Sequence, residues 1–123
     1  MSVGNDDWRL IKDLKKGKFC FLIGANNWAV ELQKEEFERL YNLLETINNQ
    51  LSITKKDLMD EECINLEVEQ LPWYAELNGI NNEWNLRLVF ESEEDTRSFE
   101  MYWPIPIAQT LFYEIKKMWE SMN

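Results

Sequence analysis

The sequence predicts an α+β fold: an antiparallel β-meander followed by a helix, with that order repeated twice. Three observations carry this. Two-residue alternation of apolar and polar side chains runs in clusters over Trp8–Leu32 and again over Ile64–Trp103. Each cluster is followed by three- and four-residue apolar spacing, over Phe37–Leu51 and Ile107–Met122. Each run of strands ends in an aromatic strand, containing Trp28 or Trp103, next to its helix. With 123 residues the chain is read as a single domain, 1–123, built of two pseudo-repeats at about 8–51 and 64–122.

The elements follow in order. Trp8 to Lys12 reads as a short strand, and Lys15-Lys16-Gly17-Lys18 as a turn in which glycine supplies the permissive backbone. Phe19 to Ile23 is the second strand and Gly24 to Asn27 a turn. Trp28, Val30 and Leu32 then alternate with Ala29 and Glu31. Phe37, Leu40, Tyr41, Leu44, Ile47 and Leu51 share one helical face, behind an opening Lys34-Glu35-Glu36 whose carboxylates suit the helix dipole. That helix is expected to run about 15–17 residues. Thr54 and Asp57 have capping-box spacing and would open a short second helical piece over Lys55 to Glu62.

Ile64, Leu66 and Val68 alternate with Asn65, Glu67 and Glu69, until Leu71-Pro72 breaks the strand. Trp73 to Leu77 follows, with Asn78-Gly79 as its tight turn. Trp84, Leu86, Leu88 and Phe90 then alternate with Asn85, Arg87, Val89 and Glu91. After Glu93-Glu94-Asp95, Phe99, Met101 and Trp103 alternate with Ser98, Glu100 and Tyr102. Pro106 can open the last helix. Its apolar face is Ile107, Leu111, Ile115, Met118 and Met122, flanked by Ala108, Phe112 and Trp119.

Composition narrows the function. The chain has no histidine and two cysteines, which excludes Ser-His-Asp or Cys-His catalysis, imidazole-ligated zinc and a Cys₄ site. Cys20 and Cys63 are expected to be free, mostly buried thiols of a reducing cytoplasm. No apolar run approaches a membrane span, and the acidic N-terminus lacks the features of a targeting peptide. No phosphate-cradling glycine pattern or EF-hand spacing is present. The expectation is therefore no catalytic residue, no metal, no cofactor and no enzyme.

Thirteen Lys and Arg stand against twenty-three Asp and Glu, a net charge of −10. The balance is uneven. Arg9, Lys12, Lys15, Lys16 and Lys18 make the start basic, whereas Asp57, Asp60, Glu61 and Glu62, and later Glu91, Glu93, Glu94 and Asp95, are acidic clusters. Single-stranded nucleic acid would need aromatic platforms beside a basic groove. Trp8, Trp28, Trp73, Tyr74, Trp84 and Tyr102 supply aromatic rings, although alternation places most tryptophans in the core. The net charge repels a phosphate backbone at long range. A protein partner suits an acidic surface with scattered aromatic anchors better. Unpaired sheet edges also make a homodimer plausible.

Trp8-Arg9-Leu10, Phe21-Leu22-Ile23-Gly24 and Trp28-Ala29-Val30-Glu31-Leu32, with Glu35, Glu36 and Phe37, resemble the opening of a small cyanobacterial and plastid family. That family is catalogued as domain of unknown function number 1818. Leu58-Met59-Asp60-Glu61-Glu62, Cys63-Ile64, Trp73, Gly79, Leu86-Arg87-Leu88, Trp103 and the terminal helix continue the match over about residues 7–119. Gln33 departs from a helix-capping Thr, and Ile80–Glu83 from the usual hairpin loop. The resemblance implies a fold similar to the Whirly and positive-cofactor-four group of single-stranded-DNA-binding regulators, and no known reaction. The resulting expectation is a cytoplasmic, non-enzymatic interaction module for a protein partner, with single-stranded DNA or RNA as the alternative. The candidate interaction residues are Arg9, Trp73, Tyr74, Arg87, Asp60, Glu61 and Glu62.

Overall fold

The computed structural model describes residues 2–4, 8–55, 62–80 and 83–122. Among them the chain forms two four-stranded antiparallel sheets and two α-helices, an α+β fold. The first sheet is β1 (Ser2–Gly4), β2 (Arg9–Lys12), β3 (Phe21–Ala25) and β4 (Trp28–Leu32), in chain order, and is followed by α1 (Lys34–Lys55). The second is β5 (Cys63–Gln70), β6 (Trp73–Ile80), β7 (Glu83–Glu91) and β8 (Ser98–Trp103), again in chain order, and is followed by α2 (Ile107–Glu120).

The helices and the inner faces of both sheets share one apolar core. Phe37 of α1 stacks on Phe21 of β3, with centroids 4.1 Å apart and planes 7° from parallel. The same ring lies 6.2 Å from Trp119 of α2. Trp84 of β7 meets Phe112 of α2 edge-on at 5.4 Å, and Trp28 of β4 meets Trp103 of β8 at 5.4 Å. Aromatic pairs in these geometries add to the stabilisation that burial already provides.

The two sheets are also tied by one cation. Arg97, in the β7–β8 connection, pairs with Glu36 at the start of α1 and with Asp95, its Nε 2.9 Å from Asp95 Oδ2. Its Nη1 donates to the Glu31 carbonyl of β4 at 3.2 Å, and its guanidinium lies over the rings of Phe19 and Phe90. Glu36 also accepts the Gln33 N–H at 2.8 Å. Half of a capping box therefore starts α1, made by the glutamate instead of a residue-33 hydroxyl.

Several sequence expectations are corrected. β1 precedes the expected first strand and pairs with it, Val3 opposite Leu10. The second strand begins at Phe21; ahead of it the Asp13 side chain accepts the Lys15 N–H at 3.1 Å and caps a 3₁₀ turn over Leu14–Lys16, while the Asp13 N–H bonds the Cys20 carbonyl at 2.8 Å. α1 has 22 residues and runs through Thr54, which is therefore no N-cap. No glycine or proline follows Leu51 to stop it. The remainder of the expected second helical piece, to Glu61, lies outside the described residues.

Asn78 and Gly79 sit within β6, not in a turn. Gly79 pairs with Trp84, and a Cβ on it would lie 2.2 Å from the Glu83 carbonyl oxygen. This glycine marks a close backbone approach. Cys20 is buried but Cys63 is exposed, because Cys63 shares the outward phase of Asn65, Glu67 and Glu69. Both thiols are free. Among the described residues, no helix is long and apolar enough to cross a membrane.

Candidate interaction surface

The second sheet has one face against the helices and one in solvent, and strict alternation assigns each residue. Inward point Ile64, Val68, Trp73, Ala75, Leu77, Trp84, Leu86, Leu88, Phe90, Met101 and Trp103, all buried. Outward point the residues between them. The register fixes their arrangement in rows across the sheet. Glu67, Glu76, Arg87 and Tyr102 form one row, Glu69, Tyr74, Val89 and Glu100 the next, and Asn65, Asn78 and Asn85 a third.

Arg87 is the centre of this face. Its Nη2 lies 3.3 Å from Glu76 Oε2 and its Nη1 3.1 Å from Glu100 Oε1. The guanidinium stands 5.7 Å from the Tyr74 ring centroid, within cation–π range. Tyr102 sits directly opposite Arg87 on β8 and is 51% exposed. Burial and the charges of Glu67 and Glu76 push the Tyr74 phenol up. Hydrogen bonds from Asn78 and Arg87 hold the Glu76 carboxyl below its ordinary 4.5.

The structure treats the sequence-predicted residues unequally. Tyr74 and Arg87 are brought together as described. Trp73 is not on this surface: it is fully buried and its Nε1 donates to the Glu36 carbonyl at 2.9 Å. Of the adjacent pair Trp73 and Tyr74, the larger and more apolar ring takes the core. Arg9 belongs to the first sheet and is spent there, donating from Nε to the Ala25 carbonyl at 3.0 Å and from Nη2 to the Trp28 carbonyl at 2.9 Å. It fixes the β3–β4 turn. Glu62 is exposed, whereas Asp60 and Glu61 lie outside the described residues. Of the other aromatic candidates, Trp8 and Trp84 are buried and Trp28 is half-buried against Trp103.

Sequence reasoning passed over two groups. Tyr102 was one aromatic candidate among six, yet its outward phase on β8 singles it out. Glu100 gave no motif at all, and only the β7–β8 register brings it to Arg87.

A second concavity, of about 260 Å³, lies between the start of α1 and the β7–β8 connection. Its Glu36 pairs with Arg97, and its Glu93 pairs with Arg39 at 2.7 Å. Among the described residues, no group of three or more His, Cys, Asp or Glu is placed to hold a metal ion.

The model of a family described as a domain of unknown function, DUF1818, matches residues 4–118. A solved structure from Prochlorococcus sp. NATL2A, described as a protein of unknown function from the DUF155 family, is similar over 97% of this chain and 98% of its own. It shares 35% sequence identity, with a TM-score of 0.86. No curated protein matches the chain.

Proposed function

The chain belongs to the DUF1818 family of unknown function, and we propose that it is a non-enzymatic interaction module that binds a protein partner through the outer face of its second sheet. One observation carries this reading. A four-stranded sheet face lies open to solvent with Arg87 and Tyr102 side by side in one row, Tyr74 in the next row against Arg87, and Glu67, Glu69, Glu76 and Glu100 around them. Tyrosine and arginine are the residue types that anchor protein interfaces, and the carboxylates supply electrostatic selection of the partner. The carboxylates of the neighbouring concavity that bind Arg97 and Arg39 are committed to structural pairs, which supports a role without chemistry. Two free thiols suit a reducing cytoplasm.

The experiment is capture from a cyanobacterial lysate followed by hydrogen-exchange footprinting of the complex. Protection over β6–β8, lost with Glu100→Lys and Tyr102→Glu, is expected. Recovery of the same partners by both variants, with protection elsewhere, would overturn the reading. Charge reversal at Asp60, Glu61 and Glu62 forms a separate arm that tests that acidic segment on its own.

A single-stranded nucleic-acid reading, on a Whirly-like fold, is favoured by one feature: the Tyr74–Arg87–Tyr102 cluster offers rings for stacking on an open antiparallel sheet. The surrounding glutamates oppose it. Fluorescence anisotropy of a labelled oligo-dT at about 20 mM salt, where phosphate contacts are strongest, tests it: no binding there overturns the reading.

A further inference from the structure

Resting on the reading that the outer face of the second sheet is the docking surface, we infer that its occupant is an extended segment of the protein partner carrying two arginines four residues apart. One guanidinium lies on the Tyr102 ring beside Glu100, and the other reaches Glu67 and Glu69.

The charge balance of the face favours a cationic occupant. Six outward carboxylates, Glu67, Glu69, Glu76, Glu83, Glu91 and Glu100, face one outward guanidinium, Arg87. Arg87 serves Glu76 and Glu100, so the β5 edge keeps Glu67 and Glu69 as uncompensated charge. Glu67 also stands directly opposite Glu76, a like-charge cross-strand pair that costs stability. An incoming cation relieves that repulsion.

The molecule already shows how this face holds a guanidinium. Arg87 lies over Tyr74 and is gripped by two glutamates. Tyr102 and Glu100 repeat the ring and the carboxylate one strand over. Here the ring is open to solvent, and the Glu100 side chain is 67% exposed. Arginine fits better than lysine, because a planar fork stacks on tyrosine while bonding a carboxylate, and an ammonium does not.

The spacing sets the register of the partner. Tyr102 on β8 and Glu67 on β5 are the ends of one cross-strand row, three strand intervals apart, or about 14 Å at ~4.8 Å each. An extended chain rises ~3.3 Å per residue and returns its side chains to the same side every second residue. Positions i and i+4 therefore reach both ends.

The test titrates the full-length protein with a Ser/Thr-rich peptide bearing two arginines four residues apart, followed by backbone amide shifts in NMR. Counterparts carry two lysines, or arginines two residues apart. The expected shifts are confined to the outer face of β5–β8, around the row from Glu67 and Glu69 to Glu100 and Tyr102. Both counterparts bind about threefold or more weaker, as does the Tyr102→Ala protein. Glu67→Gln with Glu69→Gln removes the advantage of the four-residue spacing.

Equal binding of arginine and lysine peptides with no effect of Tyr102→Ala overturns the inference. So do shifts that fall elsewhere, shifts that grow with protein concentration alone (a second copy as occupant), or displacement of the peptide by oligo-dT. If the captured protein partner protects β6–β8 while the arginine peptide fails to bind there, the arginine inference falls and the docking surface stands. If the partner protects another face, both fall.

Discussion

The two sheets share a strand order and differ in what they show to solvent. Strands of the first are three to five residues long; those of the second are six to nine. On the first sheet the outward cation, Arg9, turns back onto backbone carbonyls, and the outward Ile11 and Leu22 are half-buried. On the second, the outward cation lies on an aromatic ring among carboxylates and remains available to solvent. The inner faces do the same work, since both pack on α1. The lesson is that the inward phase decides the fold and the outward phase decides the surface. Two sheets with the same connectivity therefore need not share a role.

The sharpest way to break this contrast is to compare one aromatic residue from each face of the second sheet. Trp73→Ala empties a fully buried site and removes a hydrogen bond to α1, and is expected to cost about 3–5 kcal/mol. Tyr102→Ala, on the open face, is expected to change stability by no more than about 0.5 kcal/mol. Urea denaturation of both proteins checks the pair, and similar losses would mean that the outer face is structural.

Next is the joint between the sheets. Arg97→Ala leaves Glu36 without its counter-ion, in a pair whose side chains are only 19% and 11% exposed. A loss of about 3 kcal/mol is expected. Arg39→Ala, which breaks an exposed pair with Glu93, is expected to cost less than about 1 kcal/mol. Chemical denaturation distinguishes them.

The hairpins give a matched pair. A Cβ at Gly24 would lie 2.4 Å from the Trp28 carbonyl oxygen, and one at Gly79 would lie 2.2 Å from that of Glu83. Both Gly→Ala changes are expected to cost about 1–3 kcal/mol by overpacking. If only Gly79→Ala does so in thermal melts, the shorter sheet yields where the longer cannot.

The smallest effect lies between the helices. The Tyr41 hydroxyl donates to Glu120 Oε2 at 2.8 Å, and that bond, with burial and the charge of Glu45, pushes its phenol up to about 12. A folded-state value above the unfolded one stabilises fully below pH 10.0, and this contribution is lost as pH rises toward 12. Tyrosinate absorbance should show the Tyr41 phenol titrating late, and Glu120→Gln should bring that phenol down toward 10.0.

Much of this was legible in the residues. Alternation in Trp84–Phe90 and Phe99–Trp103 assigns both faces of β7 and β8 correctly, because a residue's side of a strand depends only on parity. What was hidden is set by distance or by close approach. Arg97 and Glu36 are 61 residues apart, and nothing local marks either as a partner. Gly79 reads as a turn from its dipeptide, although its role is to admit the next strand's carbonyl. Parity separates Trp73 from Tyr74 but does not say which one enters the core; the Glu36 carbonyl waiting for an indole N–H does. Gln33 reads as a poor cap, and the cap is made by Glu36 from within the helix.

Among the described residues, each strand pairs only with its neighbours in the chain. The consequence is kinetic. Each ladder closes a short loop at small entropic cost, so either sheet can form without waiting for the other. Local connectivity of this kind belongs to fast folders among β-rich proteins. The costlier closures are the long-range ones that join the two halves, such as Arg97 to Glu36 over 61 residues and Tyr41 to Glu120 over 79.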